Sequence, residues 1–220
     1  MLLSMNVIEL FSSIDGEGKR QGFLTTFLRL HDCNIRCSYC DTLYSYGPES
    51  TFESMSVQAV ADAIEQLGNH RITITGGEPL LQEPAVIELI DELTRRNARY
   101  DFNIETNGTI IPSFHRDNVW FTYDYKTPSS LAEEAMNLDI FKVATPADII
   151  KFVVGSMQDL DRMDEILKTY PTDAQIFVSP VWGNIEGATI IEYMKAHNWQ
   201  NVRFQLQIHK FIWDPDAKGV

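Results

Sequence analysis

At 220 residues, with 44% hydrophobic and 22% charged side chains, the chain has the make-up of one compact globular domain, not of a disulfide-stapled miniature or a disordered segment. Its formal net charge of -13, from 31 acidic against 18 basic residues, comes without the clustered Lys and Arg that replace phosphate counterions, so nucleic acid is excluded as the expected partner. No apolar run reaches membrane-span length, residues 1–10 carry no basic n-region, and the only three cysteines fall within residues 33–40; a membrane, a secretory signal and a disulfide framework are all unexpected, and a reducing cytoplasm suits the chain.

Residues 25–31 read as a strand that runs into the cysteine-bearing loop. Residues 56–67 predict a helix with Ser56 as N-cap, Val57, Val60, Ile64 and Leu67 on one face, and Gly68 as its stop. Residues 71–75 form a β-branched strand leading into Gly76 and Gly77. A second helix is expected over 84–96, with Val86, Ile87, Ile90 and Leu93 inward and Arg95 and Arg96 in its last turn. Strands are expected near 102–105 and 119–123. Residues 149–154 are apolar on both faces apart from Lys151, as in a parallel strand covered on both sides. Helix (157–168), strand (175–178), helix (185–196) and strand (202–207) complete the chain. Such alternation predicts a mostly parallel sheet with crossover helices. About six strands with fewer clear helices fit an incomplete TIM-like (β/α) barrel, α/β in class, in one domain spanning 1–220.

Cys33-Asn34-Ile35-Arg36-Cys37-Ser38-Tyr39-Cys40 places three thiols within eight residues. A closed zinc site would need a fourth Cys or His; His31 lies two residues upstream and the other four histidines are remote. A [4Fe-4S] cluster on three thiolates keeps one iron open, and that iron can chelate the amino and carboxylate groups of S-adenosylmethionine (SAM). The spacing C-x3-C-x2-C, with Tyr39 before the last cysteine, resembles the signature of the radical SAM superfamily. Thr75-Gly76-Gly77-Glu78-Pro79 after the next strand reads on its own equally as a strand-to-helix turn or as a ligand contact. Beside the cysteine motif it resembles the superfamily's GGE element, which holds the methionyl amine.

Ser13-Ile14-Asp15-Gly16-Glu17-Gly18, Cys40-Asp41-Thr42, Ile104-Glu105-Thr106-Asn107-Gly108-Thr109 and Gln207-Ile208-His209-Lys210 extend the likeness along essentially the whole chain. Together they resemble the 7-carboxy-7-deazaguanine synthase family of queuosine and 7-deazapurine biosynthesis. The resemblance implies conversion of 6-carboxy-5,6,7,8-tetrahydropterin to 7-carboxy-7-deazaguanine with loss of ammonia. It assigns Cys33, Cys37 and Cys40 to the cluster and Thr42 to Mg2+. For SAM it implies Tyr39, Cys40, Asp41, Gly77, Glu78, Glu105, Asn107, Asp124, Tyr125, Lys126, Ser179 and Pro180. For the pterin it implies Ile14, Asp15, Gly16, Glu17, Arg29, Thr75, His209 and the terminal carboxylate of Val220. Two stretches depart from the family pattern: glutamine is usual where this chain has Asp15, and Asp124-Tyr125-Lys126 stands where relatives have Ser-Pro-Lys. A homodimer and an external electron donor of flavodoxin or ferredoxin type are also implied. Two rivals share parts of the pattern, a glycyl-radical-enzyme activase and a zinc-binding interaction domain; the segments around Glu105 and His209 favour neither.

Overall fold

A computed structural model describes residues 3–220, so the first two residues of the segment 1–10 lie outside the described residues. In chain order the elements are β1 (Ser4–Ile14), β2 (Leu24–Leu30), β3 (Glu53–Ser56), α1 (Val57–Leu67), β4 (Arg71–Gly76), α2 (Glu83–Arg96), β5 (Asp101–Thr106) and β6 (Val119–Lys126). They continue with α3 (Ile140–Val143), β7 (Ile149–Val154), α4 (Met157–Thr169), β8 (Gln175–Pro180), α5 (Gly187–Ala196), β9 (Val202–Phe204) and α6 (His209–Ile212). The sheet runs β3-β1-β2-β4-β5-β6-β7-β8-β9 and does not close. Every pairing from β2 to β9 is parallel, while β1 is antiparallel to both β2 and β3. The expected incomplete (β/α) barrel is therefore what forms, with nine strands among the described residues where about six were expected. The additions β1 and β3 make an antiparallel ribbon on one edge. β3 (ESMS) holds its place through backbone pairing with β1, and the half-buried Met55 is its single apolar side chain, too little to announce a strand. β9 is shorter than the expected 202–207; just past its end the Gln205 amide still donates to Val178 O at 3.0 Å, and the Gln205 side chain accepts from the Gly18 amide at 2.8 Å.

The helices follow their local signals. Ser56 Oγ accepts from the Ala59 amide at 3.2 Å, and Gly68 takes the left-handed φ of 77° that ends α1. Val57, Val60, Ala61 and Ile64 are buried, whereas Leu67 in the frayed last turn stays 36% exposed. On α2 the inward face is Ala85, Val86, Leu89, Ile90 and Leu93, with Ile87 half-buried at its margin. The β5–β6 crossover carries no helix; Phe114 of that loop packs edge-on against Phe121 instead. Among the described residues no helix is long and apolar enough to cross a membrane.

Both ends of the half-barrel are shaped by particular residues. At the carboxyl ends of the strands, the Gly77 amide donates to Leu30 O at 3.1 Å and the Glu78 amide to Asp32 O at 2.7 Å. A Cβ on Gly77 would fall on the Asp32 carbonyl, and one on Gly76 on the Leu30 backbone. Two glycines are thus what lets β4 run alongside the start of the cysteine loop. Asp32 itself adopts φ 76°, steadied by its Oδ1 accepting from the Cys33 amide at 2.8 Å. At the opposite end, residues 15–22 cross beneath the strand starts. Arg20 is buried there, donating to Asp101 Oδ1 on β5 and Ile72 O on β4 and lying over the Trp120 ring of β6. Lys19 reaches Ala147 O before β7.

Arg20→Ala removes the cation shared by Asp15 and Asp101 and leaves Asp15 buried without it. A loss of about 3 kcal/mol in unfolding free energy is expected in urea titration. A loss below about 1 kcal/mol, the range of exposed pairs, would mean that this arginine does not hold the barrel floor.

Candidate active site

A cavity of about 700 Å3 opens at the carboxyl ends of the parallel strands, where sheets of this class build sites. Cys33, Cys37 and Cys40 line one end of it, all half-buried and none in a disulfide. Asn107 Nδ2 donates to Cys33 Sγ at 3.6 Å, and Arg36 clamps the loop by donating to the carbonyls of Cys33 and Ile35. Burial pushes the Cys37 thiol up to about 11 and raises Cys33 as well. A bound metal cluster would supply the positive charge that offsets this burial and favours the thiolates. His31, the nearest candidate for a fourth ligand, packs against Phe52 with the rings tilted at 37°, outside the cavity. Among the described residues no three of His, Cys, Asp or Glu stand together as ligands of a single ion. Three thiols spread over one loop, with a hydrogen-bond donor on one sulfur, fit the corners of an iron–sulfur cube and not a closed zinc site.

Next to the thiols the wall is made by Tyr39, Asp41, Thr42, Gly77, Asn107, Asp124 and Lys126. Thr42 Oγ1 donates to Asp41 Oδ1 at 2.9 Å. Asp124 pairs with Lys126 at 3.1 Å and with Lys151 at 3.4 Å. Burial acts against all three charges, yet the pairing outweighs it, holding Asp124 below and both lysines above their ordinary values. Asp124 Oδ1 and Glu17 Oε1 are buried without a hydrogen-bond partner, two acceptors able to meet donors of a bound molecule.

Ile14, Asp15, Gly16, Glu17, Arg29, Thr75, Glu105, His209 and Val220 line the rest. Glu17 pairs with Lys151 at 2.7 Å. Burial pushes the Glu105 carboxyl up to about 7 against the pull of Lys151, with Asp15 and Glu17 adding to the rise. Asp15 is likewise raised by burial to about 6, opposed by Arg20. Gly16 is required for packing: a Cβ there would collide with Nδ1 of His209, whose ring burial keeps biased to the neutral form.

Four expected contacts lie off this wall. Glu78 is fully buried and accepts from the amides of Leu80 (3.0 Å) and Asn107 (2.7 Å) and from Thr106 Oγ1 (2.9 Å), tying β4 to β5. Tyr125 points into the helical layer, packing on Phe141 and Phe152 and donating to Glu133 at 2.9 Å. Ser179 and Pro180 end β8 behind Val181 and Trp182, which do reach the cavity. Lys151, Tyr44 and Lys218 line the cavity without having been singled out as site residues. Lys151 was visible in sequence as the one polar break in 149–154; Tyr44 and Lys218 carried no local signal.

The radical SAM superfamily profile matches residues 29–153. A 7-carboxy-7-deazaguanine synthase of Clostridium acetobutylicum is 37% identical over 99% of this chain and 100% of its own length. One of Methanospirillum hungatei is 38% identical over 96% of this chain and 86% of its own. The crystal structure of QueE from Escherichia coli, 24% identical, superposes with a TM-score of 0.70 over 92% of this chain and 93% of that one, which supports the same fold.

The raised Asp15 value has a definite sign. The folded state holds this proton to about pH 6 and the unfolded chain releases it near 3.8, so rising pH costs the wild type stability across that window. Asp15→Asn is expected to gain on wild type by up to about 3 kcal/mol between pH 4 and pH 7 in urea titrations. A difference that stays constant over that range would show that Asp15 titrates as an ordinary carboxyl.

Proposed function

This chain belongs to the 7-carboxy-7-deazaguanine synthase family of the radical SAM superfamily, and on that premise we propose that it converts 6-carboxy-5,6,7,8-tetrahydropterin to 7-carboxy-7-deazaguanine with loss of ammonia. As a lyase of 7-deazapurine biosynthesis, it would act as a single domain over 1–220, as a homodimer in the cytoplasm, reduced by a flavodoxin or ferredoxin. The observation that carries the reading is one continuous cavity with three thiols at one end and a set of acids, Arg29 and His209 at the other.

Cys33, Cys37 and Cys40 would hold the [4Fe-4S] cluster, and Asn107 would donate to the Cys33 sulfur. The cluster and SAM together supply one-electron chemistry strong enough to break an unactivated C–H bond. Side-chain-free backbone at Gly76–Gly77 would let SAM approach, and Tyr39, Asp41, Asp124 and Lys126 of the same wall would hold it. Glu78 would serve that subsite from behind, by fixing Asn107 and the end of β4. Thr42 offers a hydroxyl oxygen for Mg2+ beside the Asp41 carboxylate.

At the other end Arg29 would receive the pterin carboxylate and the 14–17 backbone the heterocycle, which is held against His209. A fixed pose of this kind, with water displaced, is the protein's main contribution to the rearrangement. Glu105 keeps its proton on a carboxyl oxygen to about pH 7 and is suited to protonate a departing amine. An activase must instead admit a peptide loop, for which a pocket crowded with Glu17, Glu105, Asp124 and Lys151 is poorly suited.

Anaerobic turnover of the cluster-reconstituted protein with SAM, a reductant and 6-carboxytetrahydropterin, read by mass spectrometry, is expected to yield 7-carboxy-7-deazaguanine. Cys37→Ala should abolish it. Accumulation of 5′-deoxyadenosine alone would retain the superfamily chemistry and overturn the substrate assignment.

A further inference from the structure

We propose that Glu9 is a positioning residue for Arg29, leaving the guanidinium only its terminal Nη1/Nη2 edge with which to take a carboxylate. The inference rests on the reading that Arg29 receives the substrate carboxylate. Glu9 lies outside the cavity wall, directly behind Arg29. The two residues are register partners across β1 and β2, and a register shift between Val7 and Glu9 sets that pairing. Side chains alternate along a strand, so without the shift β1 would present its opposite set of residues to Arg29.

Glu9 Oε1 accepts from Arg29 Nε at 2.6 Å and from the Tyr44 hydroxyl at 2.7 Å. Arg29 Nη1 also leans on Gly76 O at 3.4 Å, and the Tyr44 ring lies beside the guanidinium. A guanidinium can grip a carboxylate in a two-point fork through its Nε/Nη2 side or through its Nη1/Nη2 end. Glu9 occupies the first. Both partners are largely buried, at 17% and 21% side-chain exposure, so the pair is little screened. The Glu9 charge, together with that of Asp41, offsets the desolvation of the buried guanidinium. The result is a carboxylate receptor of fixed direction, carried by two strands and the Gly76 carbonyl instead of by a free arginine arm.

The test uses the reconstituted holoenzyme with SAM, comparing the affinities of 6-carboxytetrahydropterin and its 6-carboxamide, together with KM and kcat for the acid. Glu9→Ala is expected to shrink the preference for acid over amide about tenfold, the effect falling on KM more than on kcat. Glu9→Gln keeps an acceptor for Nε and should stay within about threefold of wild type. If Glu9→Ala does not fold, Glu9→Asp, one methylene too short to reach both Nε and Tyr44, carries the same expectation. Equal weakening of acid and amide, or Glu9→Gln failing as badly as Glu9→Ala, would overturn the proposal. Arg29→Gln separates the two levels: if it leaves the acid preference intact, the carboxylate reading itself is wrong. If it abolishes the preference while Glu9→Ala does not alter it, only the positioning role falls.

Discussion

The backbone contact of Gly76 and Gly77 with residues 30–32 is the constraint on which the site depends. It is a steric requirement first: no side chain fits where β4 passes the Leu30 and Asp32 carbonyls. From it follow the two amide hydrogen bonds that fix the root of the cysteine loop, and the turn that buries Glu78. Glu78 then draws in Thr106 and Asn107 from the next strand, and Asn107 reaches back to Cys33. A closed chain of contacts links the three elements, so a shift at the glycines would be felt at the sulfur.

A second layer of organisation is electrostatic. Asp124, Lys126, Lys151 and Glu17 stand on β6, β7 and the 15–22 segment as alternating charges, close enough that each offsets the desolvation of its neighbour. Asp15 and Glu105 are the members without sufficient compensation, and their proton affinities rise accordingly. The cavity thereby holds a stretch of paired charges beside two carboxyls, Asp15 and Glu105, whose proton affinities are raised toward neutrality.

Much of this was legible in the sequence. The α1 and α2 boundaries follow from Ser56, Gly68 and the 3.6-residue apolar period, because caps and amphipathic faces are local. The thiols and the glycine pair were legible because a short motif carries the whole of their chemistry. What was hidden is non-local. The alternation of β1 is interrupted at the Val7/Glu9 shift, and β3 has only Met55 as an apolar side chain, so neither reads as a strand in sequence. Arg20, between Lys19 and Gln21, looks like a surface charge until β4, β5 and β6 are arranged around it. Tyr125 sat inside a motif stretch, yet strand alternation turns its ring to the helices while Asp124 and Lys126 face the cavity. Glu78 had the right chemistry for an ammonium ligand, and only the paths of the Leu80 and Asn107 amides reveal what its oxygens bind.

The two ends of the half-barrel also differ in how far apart in the chain their parts lie. The root of the thiol end lies within residues 30–107, and its last contacts are made by Ser129 and Ser130, which pair with Ser38, and by Val153 O, which accepts from the Tyr39 hydroxyl. The floor segment is completed by Gln205, 187 positions after the Gly18 amide that it caps. During synthesis at about 5–20 residues per second, that early segment would emerge roughly 10–40 s before its last partner. Closing so long a loop costs entropy that only the finished sheet repays, whereas the contacts of the thiol end are complete once Val153 has emerged. A nascent chain would therefore gather its three thiols before the floor of the cavity closes, an order in which a group delivered to the thiols could arrive before the fold is complete.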